Sequence, residues 1–351
     1  MDRMSYLVRR MLIAIPTFIG ITIVCFSLTR FLPGGPVEMR LMRMRGLSAA
    51  ASGGGEAGSS ASASAISEAH RLEIVQQFGF DKPIWRQYVD WLVKNRMGLK
   101  LPSYDYPEKT AWQLIKSRIP ISLWFGIASF VLTYLVCIPL GIAKAMRHRQ
   151  AFDAASSIVV FVAYAVPTFA LAMSLKALFC GTIDGFPDIF PLGGISSDFD
   201  VEPSAVVWFV DRLWHMVLPV ACYVSGSFAL LTLLMKNSLL DQIASDYVRT
   251  VIAKGATRRR AVWGHAFRNA LIPVATGFGS MIGLLFAGSI IIETVFDIPG
   301  MGRLGWDALV GRDYAVFLAL LALTAAFQLV GNLIGDALYL LIDPRIDFSK
   351  R

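Results

Sequence analysis

The chain has 351 residues, a formal net charge of +8 and a mean hydropathy of +0.57, and 55% of its residues are hydrophobic. This excludes an ordinary soluble protein, because the apolar residues gather in blocks approaching the roughly 20 needed to cross ~30 Å of hydrocarbon. The basic residues flank those blocks and build no basic soluble domain, so they read as membrane topology and not as nucleic-acid binding.

In chain order, Arg3, Arg9 and Arg10 precede an apolar run from Met11. The run reaches Phe31 without a small-x-small cleavage site and ends in Arg30 and Pro33-Gly-Gly-Pro36. A retained transmembrane helix is expected there, not a signal peptide. The spacing of apolar blocks predicts an all-α polytopic membrane protein with six spans, at 11–31, 119–143, 156–180, 215–235, 270–292 and 315–342. Pro16, Pro139, Pro167 and Pro219 fall inside or near the ends of these spans, where neighbouring helices can satisfy the freed carbonyls. Pro167, in the stretch from Ala163 through Tyr164 to Phe169, sits mid-span and is expected to kink the third helix.

The connection after span two carries Lys144, Arg147 and Arg149, and that after span four carries Lys236, Arg249, Lys254, Arg258, Arg259, Arg260 and Arg268. The connection after span three is acidic, with Asp184, Asp188, Asp198, Asp200, Glu202 and Asp211 against Arg212 alone. Counting Lys and Arg in these short loops puts both termini in the cytosol. The chain then divides into an N-terminal span (1–31), a large external loop (32–118), a five-helix core (119–342) with a cytosolic loop at 236–269, and a cytosolic tail (343–351).

Within the external loop, 46–67 is an Ala/Ser/Gly-rich, aperiodic insertion. Ser67 is expected to cap a short helix with Leu72, Val75 and Phe78; a second helix carries Trp85, Tyr88, Val89 and Leu92. Trp85, Tyr88 and Trp91 suit either the lipid headgroup level or a contact surface for an external partner. Cys25, Cys137, Cys180 and Cys222 lie in or beside apolar segments without a CxxC spacing, so isolated thiols are expected. His215 and His265 mark span ends, with no second ligand at metal spacing.

The cytosolic loop is the most informative stretch. Ala244, Val248, Val251, Ile252 and Gly255 share one helical stripe, and Gly255 suits a left-handed terminus. Thr257 then suits the cap of a second helix running towards Ala270. Arg258, Arg259 and Arg260 follow that cap, where cations oppose the helix dipole, so lipid anchoring or docking to an acidic groove accounts for them better than helix stability.

Tyr247, Thr250, Val251, Ala253, Lys254 and Gly255, followed by His265, Arg268, Asn269, Ala270 and Pro273, resemble the cytoplasmic loop of ABC-transporter permeases in the oligopeptide/dipeptide importer branch. Arg249 stands where the general motif has glutamate, and Val251 replaces its second alanine. The likeness extends to Tyr6 through Arg10, Gly79 through Pro83, Phe296 through Leu304, Arg312-Asp-Tyr314, and Asn332, Asp336, Tyr339 and Asp343-Pro-Arg345. The insertion and the ending Asp343 through Phe348 resemble the Yej-type peptide and microcin C permeases.

This resemblance implies a type I importer permease paired with a second, homologous permease. It also implies two cytosolic ATP-binding subunits, a periplasmic substrate-binding protein and peptide cargo, microcin C-like antibiotics among it. The segment from Asp246 to Thr257, with Val248 on an apolar stripe suited to insertion into a cleft, would be the coupling helix. The sequence has no GxxxxGK[ST] phosphate loop, so ATP and Mg²⁺ are expected on the partners and no cofactor on this chain. No nucleophile–base motif is present either, and a non-catalytic subunit is expected.

Candidate residues for the path are Tyr164, Pro167, Glu293, Gln328, Asn332 and Asp336. The last three form a polar stripe at i, i+4 and i+8 that either lines the path or bonds neighbouring helices. Glu293 either faces peptide or pairs with Arg303 or Arg312, while Lys176 is expected to snorkel outward. The alternative is an ion-coupled secondary transporter, but the charges cluster at span ends and no repeat stands out.

Overall fold

The computed structural model describes residues 3–31, 82–199, 203–275 and 288–342, with positions 277 and 286. The insertion at 46–67, the helix expected around Leu72 to Phe78, the middle of span 270–292 (276, 278–285 and 287) and the tail 343–351 lie outside the described residues. Among the described residues the chain is helical, and the only β pairing is two isolated bridges, Pro102–Thr110 and Cys180–Asp188.

The helices are α1 (Arg3–Phe31), α2 (Ile84–Val89), α3 (Ala111–Met146), α4 (Ala151–Ala165), α5 (Thr168–Phe179), α6 (Ala205–Ala244), α7 (Asp246–Ala253), α8 (Arg258–Ala261), α9 (Phe267–Ala270), α10 (Ile290–Val295), α11 (Met301–Val310) and α12 (Tyr314–Ile342). Single π-turns extend α2 over Asp90–Lys94 and link α8 to α9 over Val262–Ala266. Four segments are long and apolar enough to cross a membrane: Ser5–Thr29, Ala111–Met146, Ala205–Ala244 and Tyr314–Leu338. The pair α4–α5 supplies a fifth, bent by 95° at its break.

Two departures from the sequence reading have simple causes. The kink at Pro167 is a complete break: α4 ends before Val166 (φ −76°, ψ 120°), and α5 starts after Pro167 (φ −57°, ψ 135°). Proline has no N–H to give and forces the residue before it out of the helical region. Spans two and four, expected at 119–143 and 215–235, sit in helices of 36 and 40 residues. At 1.5 Å per residue these are about 54 and 60 Å long, against ~30 Å of hydrocarbon. Hydropathy marks only the apolar middle, whereas α6 starts ten residues earlier, where the Ser204 hydroxyl accepts the Val207 N–H.

The chain divides into two compact units. The first comprises Met1–Ala14, Arg118–Arg303 and Phe327–Arg351. One of its apolar clusters joins Cys137, Ile142 and Ala145 of α3 to Leu231, Met235 and Leu239 of α6, then to Val248, Ala261, Val262, Ala266 and Ala270 of the loop beyond. A Cβ added at Gly141 would meet the Thr232 carbonyl at 2.8 Å, so glycine is what lets α3 and α6 approach there. The other cluster gathers Phe125, Ala172, Met216, Cys222, Ile292 and Phe296 at the opposite ends of the same helices.

The second unit comprises Ile15–Ser117 and Leu304–Ala326. Phe26, Trp91, Leu318 and Ala322 form its core, with the Phe26 and Trp91 rings 5.6 Å apart. Tyr88 joins them, its hydroxyl 2.9 Å from Thr22 Oγ1. Two of the three aromatic residues expected at headgroup level or on a partner surface are therefore packed against α1, and Trp85 alone of the three stands exposed. Lys94 and Lys82 hold the Asp90 carboxyl below its ordinary pKa. Asp313 is buried and caps α12, its Oδ1 accepting the Val316 N–H at 3.2 Å. Its Oδ2 takes the Tyr104 N–H at 3.0 Å and the Ser103 hydroxyl.

Candidate functional site

The loop from Ser245 to Ala270 is built from two short helices and the turn that joins them. Three hydrogen bonds explain the shape of the turn. The Gly255 N–H reaches the Ile252 carbonyl at 2.9 Å and the Ala256 N–H reaches Val251 at 3.3 Å, the paired bonds of a Schellman motif. Gly255 has φ +89°, and a Cβ there would meet nothing within 4 Å, so the requirement is for backbone freedom and not for space. The Thr257 hydroxyl then accepts the Arg260 N–H at 3.3 Å, capping α8 as its position predicts.

The expected stripe is divided. Ala244 belongs to the end of α6, Val248 is 1% exposed in the core, and Val251 packs against that core. Ile252 faces out. A helix lying on its own protein must bury one side there, so only part of the stripe remains for a partner. Tyr247 and Asn269, which are 22 positions apart, are joined: the tyrosine hydroxyl donates to Gln242 Oε1 at 2.7 Å and accepts from Asn269 Nδ2 at 3.1 Å. Thr250 bonds back to the Asp246 carbonyl at 2.9 Å. Asp246, Arg249, Ala253, Lys254, Arg258, Arg259, Arg260, His265 and Arg268 are all exposed, as is Trp263, which stacks near Phe267 with centroids 5.3 Å apart. The loop therefore presents a basic rim with Ile252 and Trp263 set in it.

Behind this loop lies a charge cluster that the sequence reading missed. Lys144 and Lys236 read as topology signals, yet Lys144 is fully buried and both lysines meet Asp153 in the first turn of α4. Lys236 Nζ lies 2.7 and 2.8 Å from the two carboxylate oxygens. Lys144 Nζ donates to Ser157 Oγ at 2.7 Å, Ser156 Oγ at 2.9 Å and the Asp153 carbonyl at 3.0 Å. Positions 144, 153 and 236 carry no mutual signal in sequence; the one hint was an acid beside a basic run.

The intramembrane candidates separate. Glu293 is buried and, among the described residues, forms no ion pair with an arginine side chain. It accepts the Arg303 backbone N–H at 2.8 Å, the Ser289 N–H at 3.2 Å and the Ser122 hydroxyl at 3.3 Å, whereas the Arg303 guanidinium turns to Asp297. A Cβ at Gly288 or Gly300 would collide with that carboxylate. Lys176 does not snorkel: its Nζ bonds the Val295 carbonyl at 2.6 Å. The stripe on α12 splits, with Gln328 Nε2 bonding Asn332 Oδ1 at 3.1 Å while Asp336 lies 3.4 Å from Arg10. Tyr164 is exposed beside the Pro167 break, and the next residue, Thr168, lines a cavity of about 320 Å³ among α3, α5, α6 and α10.

Residues 137–348, which span the loop, the cavity-lining part of α6 and the turn around Glu293, match the family described as binding-protein-dependent transport system inner membrane component. The chain belongs to this family. Relatives of this inner-membrane transport component extend the likeness over its whole length. It is 37% identical to the inner membrane ABC transporter permease protein YejB of Escherichia coli O157:H7, covering 99% of this chain and all of that one. It is 36% identical to the peptidoglycan transport system permease protein YejB of Agrobacterium fabrum, over 99% of each. The dipeptide transport system permease protein DppB of Escherichia coli K12 is 30% identical over 99% of this chain and 100% of its own.

Proposed function

We propose that the chain is one permease subunit of an ATP-driven importer that carries peptides across the bacterial inner membrane by alternating access. The observation that carries this reading is the 245–270 loop. Its scaffold is closed internally by the Schellman turn, the Thr257 cap and the Tyr247–Asn269 link, yet its basic residues, Ile252 and Trp263 are left facing out. Such a surface suits a soluble partner that pushes on the loop as a rigid piece. The names of the relatives supply the cargo class, since they include dipeptide and oligopeptide permeases.

In this reading both termini and the loop are cytosolic, and the turn around Glu293 is periplasmic. Two ATP-binding subunits hold ATP and Mg²⁺, one of them receiving α7, and a second homologous permease completes a heterodimer. A periplasmic binding protein delivers peptide. The test is purification of the tagged chain in mild detergent, followed by uptake in proteoliposomes. Co-purification of a second permease and ATPases, with vanadate-sensitive uptake, is expected. A chain that purifies alone and supports protonophore-sensitive, vanadate-insensitive uptake would overturn the proposal in favour of ion coupling.

A further inference from the structure

The cavity among α3, α5, α6 and α10 lies wholly within the first unit, at the break that Pro167 makes between α4 and α5. At about 320 Å³ it falls at the small end of ligand cavities, which span roughly 300–1,000 Å³. Its lining is mostly apolar surface set with hydroxyl-bearing residues. Six such residues line it, from three helices and the N-cap of α10: Ser129, Thr133, Thr168, Tyr223, Ser227 and Ser289. None of its lining residues carries a formal charge.

The hydroxyls are not all absorbed by the fold. Ser129 is, since it donates to the Phe125 carbonyl at 2.7 Å. Tyr223 lies beside Ser289 and Glu293 on one wall. Thr133, Thr168 and Ser227 make no hydrogen bond to other described residues, although Thr133 is only 2% exposed. These hydroxyls front the cavity, so their open donor and acceptor positions mark a place where a polar ligand can bond.

We infer that this cavity holds the backbone of the transported peptide. A hydroxyl both donates and accepts, so it can meet the N–H and the C=O that every peptide unit repeats. A lining without charge neither seeks nor repels any particular side chain, which fits recognition of main chain over sequence. Phe130, Ile291 and Ile292 supply the apolar contact that a side chain of either kind tolerates. The inference rests on the peptide-import reading and adds where, within this one subunit, the cargo touches it.

The test uses the complete transporter in proteoliposomes, supplied with ATP and a defined library of peptides two to eight residues long, with lumen contents read by mass spectrometry. Gly226 lines the cavity, and a Cβ there would meet nothing within 4 Å, so Gly226→Leu projects bulk into the space without a clash at its base. It should lower import by about tenfold or more across the library while ATPase assembly persists, and Gly226→Ala should stay near the parent. Thr133→Val, which preserves volume and removes the hydroxyl, together with Ser227→Ala, gives a second measure that does not depend on bulk. That pair should lower kcat/KM for uptake by about three- to tenfold, with basal ATP hydrolysis unchanged. Parent-level import by both Gly226→Leu and the hydroxyl pair would overturn the inference and leave peptide import standing. A parent complex that hydrolyses ATP yet imports no peptide would overturn peptide import itself, and the inference with it.

Discussion

Two turns of the first unit lie at opposite ends of the same helices and are fastened in opposite ways. The turn at 288–303 is tied from inside by a buried carboxylate: Glu293 collects backbone N–H groups of Ser289 and Arg303, and Lys176 secures the Val295 carbonyl. The loop at 245–270 has no buried charge of its own; caps, a left-handed glycine and apolar contacts set its shape, and its ionic groups point out. One turn spends its charge on its own structure and the other offers its charge to something else. A buried charge must be satisfied within the protein, while an exposed one is worth little to stability and is free for recognition.

The comparison makes ordered predictions. The largest effect belongs to Asp153, which lies beneath the loop and not in it. Asp153→Ala leaves buried Lys144 and largely buried Lys236 without their counter-ion, and should lower stability by about 3–5 kcal/mol, read as early thermal aggregation in detergent. Glu293→Ala strips several donors of their acceptor and should cost roughly 2–4 kcal/mol, with proteolysis appearing first between residues 288 and 303. If that variant melted like the parent, the contrast between the two turns would fail.

Gly255→Val should be milder for folding, at about 1–2 kcal/mol of backbone strain, and harsher for function. ATP hydrolysis by the assembled complex should persist while uptake collapses; normal coupling would remove α7 as the lever. Tyr247→Phe breaks the link to Asn269 and should cost about 1 kcal/mol. Replacing Arg258, Arg259 and Arg260 together by alanine should move the melting temperature least of all. It should still make retention of the ATPase partners more sensitive to salt.

Much of this molecule was legible in sequence because the signals are local. Apolar blocks located four spans and the bent pair α4–α5, Gly255 and Thr257 announced their turn, and Pro167 announced a bend. What escaped depends on residues far apart. Asp153 reads as an ordinary first-turn acid until α6 brings Lys236 to it, and Tyr247 gives no sign of Asn269. Glu293 invited an arginine partner because backbone N–H groups leave no trace in a sequence. Helix lengths were underestimated for a related reason: hydropathy reports the solvent around a helix, not where its hydrogen bonding stops. The family resemblance pointed to the loop motif, but it could not say which half of the stripe the chain keeps for itself.

The break at Pro167 has an electrical consequence. The first bond of α5 runs from the Leu171 N–H to the Pro167 carbonyl at 3.0 Å, so the N–H groups of Thr168, Phe169 and Ala170 have no acceptor within the helix. A helix end of this kind carries roughly half a positive charge. Set inside an apolar stretch, where little screens it, that half-charge favours a main-chain carbonyl oxygen beside Thr168. It needs no titratable group, so its strength does not change with the acidity on either side of the membrane.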